Sequence, residues 1–139
     1  MSTLLKSYSA KNHRLIVGTH AVVGVAEDFI TVEPVGDGDQ SESGAYGDVV
    51  RSVSHDSRFR ITLTLQYGSA TNAVLTALKE ADQMSNGAAT FPVMLTDLAG
   101  SVPICTGEGW IVNRPSSAYG AAAQNREWVI EYVGVYVPV

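Results

Sequence analysis

Alternation of apolar and polar residues predicts one long strand near the middle of the chain. Over residues 58–67 the apolar side chains fall at every second position, and Arg, Thr or Gln occupy the positions between them. A period of two puts one set on each face of a sheet, so one face belongs to the core and the other is polar. Shorter β-branched and aromatic runs predict further strands at 14–17, 29–33, 49–53, 91–96, 109–113 and 127–137.

The hydrophobic period lengthens to that of a helix over about residues 70–84. Ser69 or Thr71 is the predicted N-cap, and Gly87 is predicted to end the helix. The apolar stripe consists of Val74, Leu75, Leu78 and Ala81.

These elements predict a mainly β fold. About seven strands and one helix suit two packed antiparallel sheets, arranged as a sandwich or an open barrel, with the helix flanking them. The chain has 139 residues, of which 45% are hydrophobic and 17% are charged. This length and composition suit one domain over residues 1–139 with its own core.

The last predicted strand, 127–137, carries apolar residues on both faces. Trp128 and Tyr132 lie on one face, and Val133 and Val135 lie on the other. A strand covered on both sides is either central under the helix or in contact with another subunit. Both interpretations stay open.

Residues 36–48 form an acidic segment with four acidic residues, four glycines and no basic residue. It is too polar to form a core and is longer than most hairpin connections. We predict that it is the tip of a long hairpin between strands 29–33 and 49–53. Its composition predicts disorder in a free subunit and order after assembly.

The same segment partly imitates a calcium-binding loop. Oxygen-bearing side chains recur at every second position from Asp37 to Ser43, and Asp48 is the twelfth residue counted from Asp37. However, Glu42 stands where the sharp turn requires glycine, and strands rather than helices flank the segment. A calcium- or ligand-binding β-sandwich module is therefore the alternative function.

The sequence offers little for catalysis. His13, His20 and His55 are scattered, Cys105 is the only cysteine, and no nucleophile–base or metal-ligand motif occurs. We predict a protein that is not an enzyme and has no cofactor and no metal site; a small hydrolase ranks last. The net charge of −5 opposes tight binding to nucleic acid, and no hydrophobic run predicts membrane insertion.

Several short motifs follow one another in a characteristic order. They are DFI at 28–30, VE at 32–33, GDVVR at 47–51, FP at 91–92, WI at 110–111, YG at 119–120 and NREW at 125–128. In this order and spacing they resemble the tail tube proteins of contractile-tailed bacteriophages and related prophages. The resemblance extends over most of the chain.

The resemblance implies a fold similar to the inner tubes of type VI secretion and a homo-oligomer of hexameric rings. Stacked rings would form a conduit for DNA during ejection, as part of a virion tail assembled in the bacterial host cytoplasm. Tail sheath, baseplate and tail terminator proteins are the implied partners. A lumen lined with carboxylates and hydroxyls would let DNA pass without binding.

The long hairpin is then expected to reach an adjacent ring. Arginines near this hairpin suit ion pairs within or between subunits better than phosphate binding. The predicted subunit-interface residues are Gly36, Asp37, Asp39, Glu42, Tyr46, Asp48, Arg51, Arg58, Arg60 and Tyr136.

Overall fold

The computed structural model describes residues 8–9, 12–98 and 102–138. Within these ranges the chain forms nine strands and one helix. In chain order they are β1 (His13–Val17), β2 (His20–Ala21), β3 (Val25–Pro34), β4 (Gln40–Ser43), β5 (Val49–Ser52), β6 (Arg58–Leu65), α1 (Thr71–Met84), β7 (Phe91–Asp97), β8 (Val102–Asn113) and β9 (Arg126–Tyr136).

Seven strands form one antiparallel sheet in the order β2-β1-β7-β8-β9-β6-β3, and β4 pairs with β5 in a second, small sheet. The two edge strands β2 and β3 are joined by only residues 22–24. A flat seven-stranded sheet would hold its edges about 29 Å apart, whereas this connection spans at most about 15 Å. The sheet must therefore curl. The mainly β fold with a flanking helix is confirmed, and its larger sheet is an open barrel.

Hydrogen bonds anchor both ends of the 22–24 connection between the two edge strands. Val22 N donates to Leu15 O on β1 at 3.0 Å, and Gln66 N, just after β6, donates to Gly24 O at 2.8 Å. Gly24 has a φ of +69°, and a Cβ there would lie 2.6 Å from the side chain of Ser69. Glycine therefore permits both the left-handed backbone and this close approach.

The core fills the concave side of the barrel. On β6 the predicted alternation is observed, since Ile61, Leu63 and Leu65 are fully buried while Thr62 and Thr64 are only partly buried. The opposing residues of β9 include Trp128 and Ile130, paired with Leu63 and Ile61 respectively. The period-two pattern of the sequence therefore identified the core face correctly.

Strand β9 is central in the sheet, between β8 and β6, yet only one of its faces is buried. Val133 and Val135 on the convex side are 45% and 59% exposed. Of the two interpretations left open, the central position of the strand is observed, but the single chain leaves the second face exposed. The helix packs through Leu75 into the same core as Trp128, so it does not cover these valines.

Helix α1 begins and ends within one residue of the predicted range. Ala70 occupies the N-cap and gives no side-chain cap, so the prediction of Ser69 or Thr71 at that position is wrong. The Thr71 hydroxyl is engaged elsewhere, because it accepts a hydrogen bond from Val23 N at 3.0 Å and lies 3.0 Å from His20 Nε2.

The helix terminates just before Gly87, as the sequence indicates. Gly87 N donates to Asp82 O at 2.8 Å, six-to-one bonding that is typical of a helix C-terminus. Gly87 has a φ of +88° and Asn86 a φ of +57°, so two successive residues leave the helical conformation.

The long hairpin differs from its predicted pairing. Val49–Ser52 pairs with Gln40–Ser43 instead of with the 29–33 strand, and β3 pairs with β6. The reason is burial: Ile30 and Val32 of β3 pair with Leu63 and Ile61, which lie two residues apart on the core face of β6. The two valines of β5 are consecutive, so only one of them can lie on a given face. The acidic segment 36–48 is accordingly not one loop, because the strand Gln40–Ser43 separates an irregular stretch at 36–39 from the turn at 44–48.

Candidate self-association surfaces

The first surface is the two-stranded ribbon formed by β4 and β5. All eight strand residues are exposed, and Tyr46 in the turn is 98% exposed. The turn is closed by Gly44 N donating to Asp48 O at 2.7 Å. Within the described ranges neither ribbon edge is paired to a further strand. A two-stranded ribbon is marginally stable alone, so these free edges suit contact with another chain.

A chain of hydrogen bonds fixes the root of the ribbon to the barrel. Ser54 N donates to Asp39 Oδ1 at 2.8 Å, and Asp56 N donates to Ser54 Oγ at 3.3 Å. Arg58 then donates to both Asp56 carboxylate oxygens, at 2.9 Å through Nε and 2.8 Å through Nη2. Arg58 also lies 3.8 Å from Glu131 on β9. The ribbon therefore leaves the barrel in a defined direction.

The electrostatics of this root follow from the same bonds. Hydrogen bonds from Arg58 lower the pKa of Asp56 from 3.8 to about 2, and the Asp56 carboxylate raises the pKa of Arg58. A Cβ at Gly36 would lie 2.7 Å from Asp56 Oδ2. Glycine at position 36 thus lets the segment that follows β3 pass close to the Asp56–Arg58 pair.

The structure gathers most of the predicted interface residues at the ribbon. Gly36 and Arg58 lie at its root. Arg60 is on the convex face of the barrel, 3.6 Å from Glu33, and Tyr136 packs against the Phe59 ring at 5.6 Å between centroids. Contact of any of these residues with a second subunit stays a prediction. The ribbon itself carries Asp37, Asp39, Glu42, Tyr46, Asp48 and Arg51.

The predicted arginine ion pairs occur within the chain. Arg51 Nε lies 3.9 Å from Asp39 Oδ2 across the ribbon, and Arg58 pairs with Asp56 at 2.8 Å. Both pairs are solvent-exposed, so each contributes little to stability. Their effect is to orient the ribbon.

A second surface, which the predicted interface residues do not include, lies on the convex side of β7, β8 and β9. Thr106 pairs with Met94 on one side and Val135 on the other, and Val133 is two residues before Val135. We call Met94, Thr106, Val133 and Val135 the valine surface. Its three apolar members are 43–59% exposed. Neighbouring exposed apolar side chains on one face suit contact with another protein. The signal in the sequence was the run of valines after Tyr132.

A third surface is the open edge of β3. The sheet order ends at this strand, so among the described residues the backbone groups of its outer edge pair with no further strand. Unpaired N–H and C=O groups on an edge are a template for strand addition. The edge, the ribbon and the valine surface offer three separate surfaces for contact.

The calcium-like spacing does not produce a converging set of ligands. Gln40–Ser43 is extended, so side chains two residues apart share a face of the ribbon but lie about 6–7 Å apart along it instead of converging on one point. Asp39 already accepts the hydrogen bond from Ser54 N and lies beside Arg51. Among the residues described, no group of three or more His, Cys, Asp or Glu side chains is placed to hold a metal ion.

Cys105 is fully buried, and burial raises the pKa of its thiol. The thiol is therefore held in the unreactive protonated form at neutral pH. No helix in the described part of the chain is both long and apolar enough to cross a membrane.

The geometry thus defines a class: a curled β-barrel protein with an exposed ribbon and an exposed apolar surface suited to contact with other chains. The family model described as "Bacteriophage PhiTE tail tube protein" matches residues 15–137. The chain belongs to this tail tube family, and its role is that of a structural component of a phage tail.

A solved structure shares the fold. The chain is similar to the sheath/tube terminator of an extracellular contractile injection system, PVC, determined by cryo-EM in the extended state. The TM-score is 0.51 at 11% sequence identity, and the match covers 97% of this chain and 98% of that one. No curated protein sequence matches the chain.

Proposed function

We propose that this protein is the protomer of a phage tail inner tube, a structural subunit without enzymatic activity or cofactor. Six copies close into a ring, and rings stack into a conduit through which DNA passes during ejection. The observation that carries this proposal is the fully exposed ribbon on a chain of the tail tube family. The tube is assembled in the host cytoplasm and meets sheath, baseplate and terminator proteins in the virion.

Ring closure uses the β3 edge and the valine surface. Joining each open edge to a neighbouring copy satisfies its backbone hydrogen bonds, and a closed ring leaves no edge free to aggregate. Covering Met94, Val133 and Val135 in the same contact removes apolar surface from water. A second copy of the chain is thus the proposed occupant of both surfaces.

The lumen is formed by part of the convex side of the barrel, because the concave side is filled by the core. Toward the Leu65 end, the convex positions of β6 and β9 carry Thr62, Thr64 and Glu127. Arg60, nearer the other end of this face, is paired with Glu33. At a lumen wall, the carboxylate repels phosphate and the neutral hydroxyls offer it no positive charge. DNA can therefore slide without being bound. Tubes of a Thr64→Lys/Glu127→Lys variant are expected to form normally but to slow genome ejection. Unchanged ejection kinetics would place the lumen elsewhere.

Removing the ribbon tests the stacking part of the proposal. Gly36 and Asp56 are neighbours in space, so residues 37–55 can be replaced by an Asn-Gly turn that closes the hairpin of β3 and β6. The barrel is expected to stay folded by thermal denaturation, while sedimentation finds rings in place of tubes. Tubes formed by the shortened variant at the wild-type concentration would contradict the role of the ribbon.

The fold shared with a sheath/tube terminator supports a second candidate, a protein that ends a tube instead of extending it. The same sedimentation experiment separates the two functions. A tube protomer forms tubes on its own at high concentration, whereas a terminator stops at a single ring.

A further inference from the structure

The ribbon and a side-chain cavity lie at opposite ends of the barrel. Strand β6 begins at Arg58, beside the ribbon root, and ends at Leu65, which pairs with Arg126. Eight residues of strand separate the two ends by about 23 Å. The cavity opens beyond the Leu65 end, between α1, the start of β9 and residues 114–119.

The cavity has a volume of about 260 Å³ and preformed walls. Trp128 forms part of the wall and is buried, and its Nε1 donates to Asn72 Oδ1 at 2.9 Å. Arg126 is also buried, with its guanidinium carbon 5.4 Å from the ring centroids of both Tyr67 and Tyr119. Arg126 Nη1 further donates to Gln124 O at 2.9 Å.

The lining of this cavity combines positive charge with aromatic rings. Arg114 and Arg126 are its charged members, and the Tyr67 and Tyr119 rings are exposed to solvent. Arg114 lies 3.9 Å from Glu80, an exposed pair that leaves the guanidinium accessible. Pockets for drug-sized ligands are typically 300–1,000 Å³. A smaller cavity of this chemistry suits one aromatic side chain flanked by carboxylates.

The tip of the ribbon has the complementary chemistry. Tyr46 is almost fully exposed, and Glu42 and Asp48 flank it. No basic residue occurs between positions 36 and 48. The tip therefore presents an aromatic ring among carboxylates, on an arm whose root is fixed to the barrel.

We propose that Tyr46 of one copy inserts into the cavity of a second copy stacked end to end, with the flanking carboxylates facing the exposed guanidinium of Arg114. This inference rests on the proposed tube function and supplies the residues of its axial contact. Tyr46 and the cavity lie at opposite ends of one chain. The contact is therefore heterologous and repeats along the axis, which is the geometry of an open filament.

Tyr46→Ala and Tyr46→Phe test the insertion, and the exposure of Tyr46 ensures that neither change disturbs the fold. Loss of an aromatic anchor is expected to raise the critical concentration for tube formation at least about 30-fold for Tyr46→Ala. Tyr46→Phe keeps the ring and is expected to polymerise close to wild type. Tubes of Tyr46→Ala at the wild-type threshold would overturn the inference while leaving the tube function intact.

A mixing experiment tests the head-to-tail direction. Ser117→Trp places a large side chain at the cavity, which Ser117 lines. Just above the wild-type critical concentration, each variant alone is expected to stop at single rings. Mixing Tyr46→Ala with Ser117→Trp joins an intact cavity to an intact ribbon and is expected to give double rings by analytical ultracentrifugation. Absence of double rings would overturn the docking. If the wild-type protein forms neither rings nor tubes, the proposed function fails first.

Discussion

Replacing two valines of the valine surface by serine should weaken assembly without unfolding the subunit. Fully burying a valine side chain is worth about 1.5–3 kcal/mol. Val135 is 59% exposed and Val133 is 45% exposed in the single chain. If a neighbour covers the exposed fractions, these fractions of the full value give about 2–3 kcal/mol for the pair.

That free energy converts directly into a concentration. Each 1.4 kcal/mol is a factor of ten in affinity, so Val133→Ser/Val135→Ser should raise the critical concentration for assembly roughly 30- to 150-fold. Light scattering against protein concentration measures this threshold. Urea unfolding of the dilute subunit should change little, because both side chains already face water.

The matched control is Val23→Ser. Val23 is 50% exposed and lies in the 22–24 connection, away from the valine surface. Its hydrogen bonds to Thr71 use only its backbone, so serine preserves them. The control should assemble at the wild-type threshold. An unchanged threshold in the double variant, with the subunit folded, would refute the assignment of the valine surface as a contact.

Three further outcomes concern the single subunit. Leu75→Ala removes a fully buried side chain that joins α1 to the core and should lower the free energy of unfolding by about 2–5 kcal/mol in urea. Because the pKa of Asp56 is lowered from 3.8 to about 2 in the folded chain, its carboxylate stabilises the fold at pH values above 3.8. This stabilisation is lost as the pH falls toward 2. The urea midpoint of unfolding should therefore fall less for Asp56→Asn than for wild type between pH 4.5 and pH 2.5. The Cys105 thiol should react with an aromatic disulfide reagent only after unfolding, so reaction in the native state would contradict its burial.

Periodicity predicted the parts of the fold that depend on local burial. The alternation over β6 identified Ile61, Leu63 and Leu65 as core, and the helical stripe placed α1 within one residue of its observed ends. Both patterns reflect which face of a single strand or helix lies against the core and which faces solvent. They need no knowledge of which strand lies beside them.

The pairing of the ribbon could not be predicted in this way. Gln40–Ser43 contains only polar residues, so no hydrophobic period marks it as a strand, and Val49–Ser52 carries valines that remain exposed. The partner of β3 is β6, whose paired residues lie 25 to 40 positions further along the chain. Long-range competition between strands is invisible to a local pattern.

The cavity residues show a second limit. Arg126 is buried because two tyrosines from separate loops stack on its guanidinium, an arrangement set by tertiary structure. The sequence showed only the motif NREW at 125–128. The exposed tip residue Tyr46 was identified in advance, but its proposed receptor was not.

The central claim is that copies of this chain complete one another as a ring and a tube. Negative-stain electron microscopy of the purified protein at high concentration tests it most directly. We expect hollow rings with six-fold symmetry and rods built from stacked rings. A field of separate monomers at the same concentration would contradict it.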